Sequence, residues 1–433
     1  MIEPTASDLI YEWNQGTDAG DRPAGVVEVA DETLRDGLQS PSVADPSIEQ
    51  KLEMLHFQAR LGVHGVDLGL PGAGPRVQAS VLALAREMVV AKLPMEPYCA
   101  ARTHTADIDP IVDIVQKSGL PIHAATFLGS SPIRHYAEGW DLERLLRTTE
   151  EAVGYAVRHG LQVMFVTEDT TRAKPEILRQ IYTAAIHAGA NRICVADTVG
   201  YVTPQGITRL IRFVRSVVDA TGAKIPIDFH GHRDRGLCLA NSLAALSAGA
   251  DRVHGTILGI GERVGNTPLD LLLINLKLLG WLDPDLSALP EYCRLVSRAC
   301  GVPIPPSYPA LGRDAFRTAT GVHASAVIKA KKKGDASLAD QVYSSIPASM
   351  LGLTQVIEVG PMSGESNVVY WLEDHGHEAD RPLVEHLFRL AKARDRVFES
   401  AELEAAIAKF RVSGYVAGTA SEFLPGDVGD ASR

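Results

Sequence analysis

Val26-Val-Glu-Val-Ala30-Asp31-Glu-Thr-Leu-Arg35-Asp36 is a short apolar run that passes directly into charge. From residue 26 to 279 such runs alternate with amphipathic helical stretches, the pattern of βα units on a parallel sheet. The strand candidates are residues 26–30, 65–70, 95–101, 121–128, 162–167, 192–196, 226–230 and 252–257. Eight such units in roughly 250 residues match the size of an α/β (β/α)8 TIM barrel. A doubly wound sheet is the competitor, and the polar residues decide between the two. Arg35 and Asp36 follow the first run, Arg102 the third, Glu168 and Asp169 the fifth, and Asp197 the sixth. His230 and His232 end the seventh, and a glycine-rich loop ending in Asn266 follows the eighth. All lie at C-terminal strand ends, which a barrel gathers at one mouth and an open sheet spreads along an edge.

The same residues propose a metal site. Alternate side chains of a strand share a face, so His230 and His232 can point at one ion. The Asp36 carboxylate and the Asn266 amide oxygen complete a mixed nitrogen and oxygen set, suited to a divalent ion (Mg, Mn or Zn) that keeps positions open for substrate. Arg35 supplies a permanent cation for charge that develops on a substrate oxygen. A His-x-His pair alone is a weak signal; its place at a strand end, followed by Arg233-Asp-Arg-Gly236, strengthens it. The loop Gly259-Ile-Gly-Glu-Arg-Val-Gly265 has GxGxxxG spacing and does not follow a first strand, which sets a dinucleotide-binding reading aside. Glu168 and Asp169 have a second reading as caps of the following helix.

Composition narrows the class. The 433 residues carry a formal net charge of −11, which argues against a general nucleic-acid binder. Lys329, Lys331, Lys332 and Lys333 form a basic run that reads as a solvated helix end, or as a clamp for a phosphorylated cofactor. Five cysteines without CxxC spacing indicate neither a disulfide framework nor a zinc ribbon. With no signal-peptide pattern and no long apolar run, a cytoplasmic protein without membrane contact is expected. A Pro-rich stretch from Pro303 to Pro309 marks a linker. The expected organisation is an N-terminal arm over 1–25, a barrel over 26–285, a linker and smaller, mainly helical accessory region over 286–413, and a frayed tail over 414–433.

The motifs Thr33-Leu-Arg-Asp-Gly-Leu-Gln39, Ala196-Asp-Thr-Val-Gly200, His230-Gly-His-Arg-Asp-Arg-Gly-Leu237 and Gly255-Thr-Ile-Leu-Gly-Ile-Gly-Glu-Arg-Val-Gly-Asn266 resemble those of the 2-isopropylmalate synthase and homocitrate synthase family, within the DRE-TIM metallolyases. The resemblance implies a metal-dependent TIM barrel that condenses acetyl-CoA with a 2-oxo acid, and a homodimer. It implies that Asp36, His230, His232 and Asn266 hold the metal and that Arg35 is the catalytic arginine. Arg102 is then the arginine for the oxo-acid carboxylate, Glu168 the family's acidic residue after strand five, and Thr198 a substrate-side hydroxyl. His323, in Gly321-Val-His-Ala-Ser-Ala-Val327, and Tyr343 match the accessory motif and are, with a metal-shell group as the alternative, the catalytic candidates for the base that takes the acetyl proton, although His323 also reads as a packed helix histidine. Departures from the family are Leu38 and Asp67 where glutamate is usual, Arg233 for asparagine, and Arg134 for histidine. Leu38 resembles hydroxymethylglutaryl-CoA lyase, yet the glycine-rich loop lacks that enzyme's cysteine. Leu70, where homocitrate synthases carry a histidine, favours an apolar substrate such as 3-methyl-2-oxobutanoate; Arg134 could instead meet a distal carboxylate. The alternatives are a homocitrate-, citramalate- or phosphonomethylmalate-type synthase, or a lyase-like enzyme.

Overall fold

The computed structural model describes residues 9–11 and 22–412. Strands β1 (Glu28–Asp31), β2 (Gly65–Asp67), β3 (Glu96–Arg102), β4 (His123–Gly129), β5 (Val163–Glu168), β6 (Arg192–Asp197), β7 (Ile227–Gly231) and β8 (Arg252–Gly255) form a closed parallel barrel. Each overlaps one of the eight runs read from the sequence. Closure is direct, because β1 pairs with β2 on one side and with β8 on the other, Val29 opposite Val253 and Ala30 opposite His254. A helix follows every strand. The first, Ile48–Arg60, is opened by a capping box of Ser47 and Gln50. The helix after β6, Pro204–Ala220, starts with proline in its first turn and buries Ile207, Ile211, Val214 and Val218, the one-face spacing of an amphipathic helix.

The interior of the barrel is only partly apolar. Ala30, Tyr98, Ala125, Met164 and Cys194 pack as one cluster. Beside it lies a buried ionic network that the sequence reading did not anticipate. Arg252 is 1% exposed, donates to Asp228 at 2.8 Å and to Glu96 at 3.1 Å, and sits over the Tyr98 ring. Arg192 reaches the other oxygen of Asp228 at 2.7 Å. A Cβ on Gly65 would fall 2.7 Å from the Arg252 guanidinium, so the glycine makes room for it. Buried charges of this kind persist only when paired and hydrogen-bonded.

The chain divides into two compact units. One holds the barrel and runs to Ala315, with Ile346–Thr354 added; the other comprises Phe316–Ser345 and the chain from Gln355 onward. The division therefore falls later than residue 285. Helix Leu289–Cys300 belongs with the barrel because Tyr292 stacks on Phe57 and its hydroxyl donates to Asp31 at 2.8 Å. The second unit is mainly helical, around Val359, Trp371, Leu372, Leu387, Leu403 and Ile407. Its two short strands, β9 (Arg317–Thr318) and β10 (Val356–Ile357), pair in parallel. The lysine run closes helix Gly321–Lys332, and Lys331 donates to the Tyr370 hydroxyl at 2.7 Å, in keeping with a helix end. The tail over 414–433 and most of the arm over 1–25 lie outside the described residues. No helix among the described residues is long and apolar enough to cross a membrane.

Replacing Arg252 by methionine strands part of the Asp228 and Glu96 charge in the interior. Arg252→Met is expected to destabilise the barrel by about 3–5 kcal/mol, read as a lower urea midpoint.

Candidate metal centre and active-site cavity

Barrel closure brings the turn after β1 against the ends of β7 and β8. His230 Nε2 and His232 Nε2 lie 3.1 Å apart, and Asp36 Oδ2 is 3.3 Å from the first and 3.6 Å from the second. An ion with bonds of about 2.1 Å at right angles spaces neighbouring donors by roughly 3.0 Å, and a tetrahedral one by roughly 3.4 Å. The three atoms are therefore spaced as a divalent ion would hold them. Asn266 bridges His232 through the backbone and is buried, and its Oδ1 has no hydrogen-bond partner among the described residues. A buried carbonyl oxygen left unpaired is costly, and a bound cation is one way to satisfy it. The four residues fit a metal.

The loop that delivers Asn266 is tightly specified. Gly265 has φ +103°, and a Cβ there would fall 1.8 Å from the Gly259 carbonyl oxygen, so only glycine is accommodated. Arg233 packs its guanidinium against both glycines and donates to the Val264 carbonyl. Leu258, at φ 59°, donates its N–H to Asp270 at 2.7 Å, and the Tyr308 hydroxyl donates to the same carboxyl at 2.9 Å. Arg263 grips Asp234 and the Thr198 carbonyl.

Arg35 is held from three sides: Nε by Asp67 at 2.7 Å, and its terminal nitrogens by Glu32 at 3.2 Å and Asp36 at 3.6 Å. Glu32 also accepts from Tyr98 at 3.3 Å and lies 3.0 Å from His254 Nδ1, while His254 Nε2 is 2.9 Å from Asp228. Its second oxygen is 2.6 Å from His230 Nδ1, a charge contact rather than an aligned hydrogen bond. Glu32, Asp228, Arg252 and His254 were missed from the sequence. The available signal was alternation, since Asp228, His230 and His232 share one parity along β7, as do Arg252 and His254 along β8.

Electrostatics follow from these contacts. Burial alone would raise Asp36, but Arg35 and the two histidines hold it well below the usual carboxylate range. Burial disfavours the His230 cation, yet Glu32 and Asp36 raise its pKa to about 10. Burial and the neighbouring His230 lower His232 to about 4. Burial drives Asp67 up to about 7 against the pull of Arg35.

The remaining site residues divide between two cavities. One, of about 290 Å³, is lined by the metal-site residues Asp36, His230 and His232, by Arg35, Asp67, Glu168, Thr198 and Glu262, and by Leu70, Ala100, Ala125, Phe127 and Val166. The other, of about 450 Å³, is lined by Arg102, Arg134, Trp140 and Arg144 and shares Phe127 and Glu168 with the first. Arg102 is thus outside the cavity of the metal-site residues; its side chain is 66% exposed, with the guanidinium clamped on both oxygens of Asp107. Arg134 pairs with Glu138 at 3.1 Å and more loosely with Glu168 at 3.8 Å. Burial raises Glu168. Asp169 is occupied structurally by Arg172, at a φ of 58°, and its N–H donates to Thr198 Oγ1 at 2.8 Å. Leu38 lines a small neighbouring cavity with Leu34, Leu68 and Leu70. In the second unit, the His323 and Tyr343 rings stack with centroids 4.1 Å apart.

The HMGL-like family pattern matches residues 26–296. The homocitrate synthase AksA of Methanopyrus kandleri is 34% identical over 376 residues, 86% of this chain and 88% of the relative. The 2-isopropylmalate synthase of Pyrococcus furiosus is 33% identical over 374 residues, 84% of this chain and 71% of the relative. A solved hydroxymethylglutaryl-CoA lyase from Pseudomonas aeruginosa is similar with a TM-score of 0.53 at 18% identity, covering 64% of this chain and 93% of that one, a likeness of fold.

Asp270 offers a test of how the loop is anchored. Burial raises its pKa from 3.8 to about 6, so the native state holds the proton more tightly than the unfolded chain does. Its contribution to stability is full below about pH 4 and falls as pH rises through the window to about 6. Asp270→Asn, which keeps an acceptor for Leu258, should remove that fall. The variant should gain on the order of 2 kcal/mol on the parent between pH 4 and 7, read from paired unfolding curves.

Proposed function

The chain belongs to the HMGL-like family, and we propose that it is a 2-isopropylmalate synthase-like enzyme that condenses acetyl-CoA with a 2-oxo acid and hydrolyses the resulting thioester. The observation that carries the proposal is the convergence of Asp36, His230 and His232, with Arg35 lining the same cavity and Asn266, its Oδ1 unpartnered, bridged to His232 through the backbone. The synthases among the relatives support the reaction class. Substrate choice rests on the cavity wall: Leu70, Ala100, Ala125, Phe127 and Val166 suit an apolar side chain. Arg134, the cation a distal carboxylate would seek, lines the neighbouring cavity. The best fit is 3-methyl-2-oxobutanoate.

A divalent ion held by Asp36, His230, His232 and Asn266 would supply Lewis-acid polarisation of the ketone. The chain's own groups do the rest. Arg35, fixed by Asp67 and Glu32, presents a cation that stabilises the alkoxide formed when the acetyl carbon attacks the ketone. Glu168, raised by burial and facing the cavity, takes the proton from the acetyl methyl. Thr198 supplies a hydroxyl at the same wall.

The test is release of CoA from acetyl-CoA, followed as free thiol, across a panel of 2-oxo acids with Mg²⁺ or Mn²⁺. Release with 3-methyl-2-oxobutanoate that EDTA abolishes is expected. Release confined to 2-oxoglutarate or pyruvate would move the substrate assignment. Cleavage of hydroxymethylglutaryl-CoA with silence across the panel would overturn the synthase reading. In the same assay Arg35→Ala should lose turnover by on the order of 10²-fold or more.

A further inference from the structure

We infer that Glu32, braced from below by His254, is the positioning residue of this centre, a single carboxylate that orients both the metal-site histidine His230 and the cation Arg35. The inference rests on the reading of Asp36, His230, His232 and Asn266 as a metal site.

Glu32 is buried and has four neighbours. Two belong to the site: His230 Nδ1 at 2.6 Å from one oxygen and the Arg35 guanidinium at 3.2 Å from the other. Two belong to the barrel interior: Tyr98 at 3.3 Å and His254 at 3.0 Å. An ionised carboxylate only accepts hydrogen bonds, so a bare lone pair on His230 Nδ1 would be repelled at 2.6 Å, and the proton belongs on that nitrogen. With Nδ1 turned to Glu32, Nε2 is the nitrogen that faces the point shared with Asp36 and His232. His232 has no such support, since its Nδ1 is buried without a hydrogen-bond partner among the described residues. Orientation of the histidine pair therefore depends on Glu32.

Glu32 is itself fixed. His254 meets a carboxylate oxygen at each ring nitrogen, Glu32 at 3.0 Å and Asp228 at 2.9 Å. Only the doubly protonated ring donates to both. Asp228 is in turn anchored by Arg252 and Arg192. The ionic chain runs from the base of the barrel to its mouth and ends on His230 and Arg35.

The experiment is Mn²⁺ binding, measured from the free-ion electron paramagnetic resonance signal on the full-length protein, with thermal midpoints recorded in parallel. Glu32→Gln should bind Mn²⁺ about 10–100-fold more weakly, the usual cost of losing a partner behind a metal ligand. Glu32→Asp, which keeps the charge, should recover part of the loss. Arg215→Lys, whose parent side chain pairs with Asp251 at 2.6 Å outside this ionic chain, should lower the thermal midpoint yet leave Mn²⁺ affinity unchanged. Should Glu32→Gln fail to fold, His254→Gln serves in its place, with weaker Mn²⁺ binding again expected. Parental affinity in a folded Glu32 or His254 variant would overturn the inference, as would an equal loss in Arg215→Lys. Absence of Mn²⁺ binding by the parent protein is a different result, because it removes the metal site itself.

Discussion

Everything at the mouth of the barrel depends on the parallel pairing of β1 with β8. That one ladder, with Ala30 opposite His254, closes the sheet and sets the turn carrying Arg35 and Asp36 against residues about 200 positions later. An open sheet would leave β1 and β8 on different edges, and the three donor atoms that now lie within 3.6 Å of one another would have no common point. The site is a consequence of closure, as in barrels generally, where loops from different strands share one face.

Closure also creates a problem that the sequence solves with charge. A narrow barrel must be filled, and this one fills part of its interior with Arg192, Arg252, Asp228, His254 and Glu32 in place of branched aliphatic layers. Removing such ions from water is expensive, and mutual pairing offsets much of the cost. What the arrangement provides is geometric rigidity, since each group is satisfied in only one arrangement. The same low-polarity surroundings raise Asp67 and Asp270 and, with Asp36 and Glu32, separate the two histidines in proton affinity.

The two cavities divide the cations of the mouth. Arg35 faces the metal-site residues, whereas Arg102, Arg134 and Arg144 line the adjacent space beside Trp140. Leu70 after β2, with Ala100, Ala125, Phe127 and Val166 on β3 to β5, makes a mostly apolar wall in the cavity that His230 and His232 line.

The alternation of apolar runs with helical stretches determined the barrel, and the gathering of polar residues at the ends of those runs singled out Asp36, His230, His232, Asn266 and Arg35 as candidates. Both are local signals, carried by period and by position along a strand. The glycines that permit the Asn266 loop were equally visible as spacing, though not the 1.8 Å approach that requires Gly265. Tertiary structure alone decided three things. It turned Arg102 onto Asp107 and away from the metal-site cavity, it kept helix Leu289–Cys300 with the barrel through Tyr292, and it joined Glu32, Asp228, Arg252 and His254 into one chain. The last two depend on partners met across the fold, at separations of up to 261 residues, and a sequence read one segment at a time does not record that pairing.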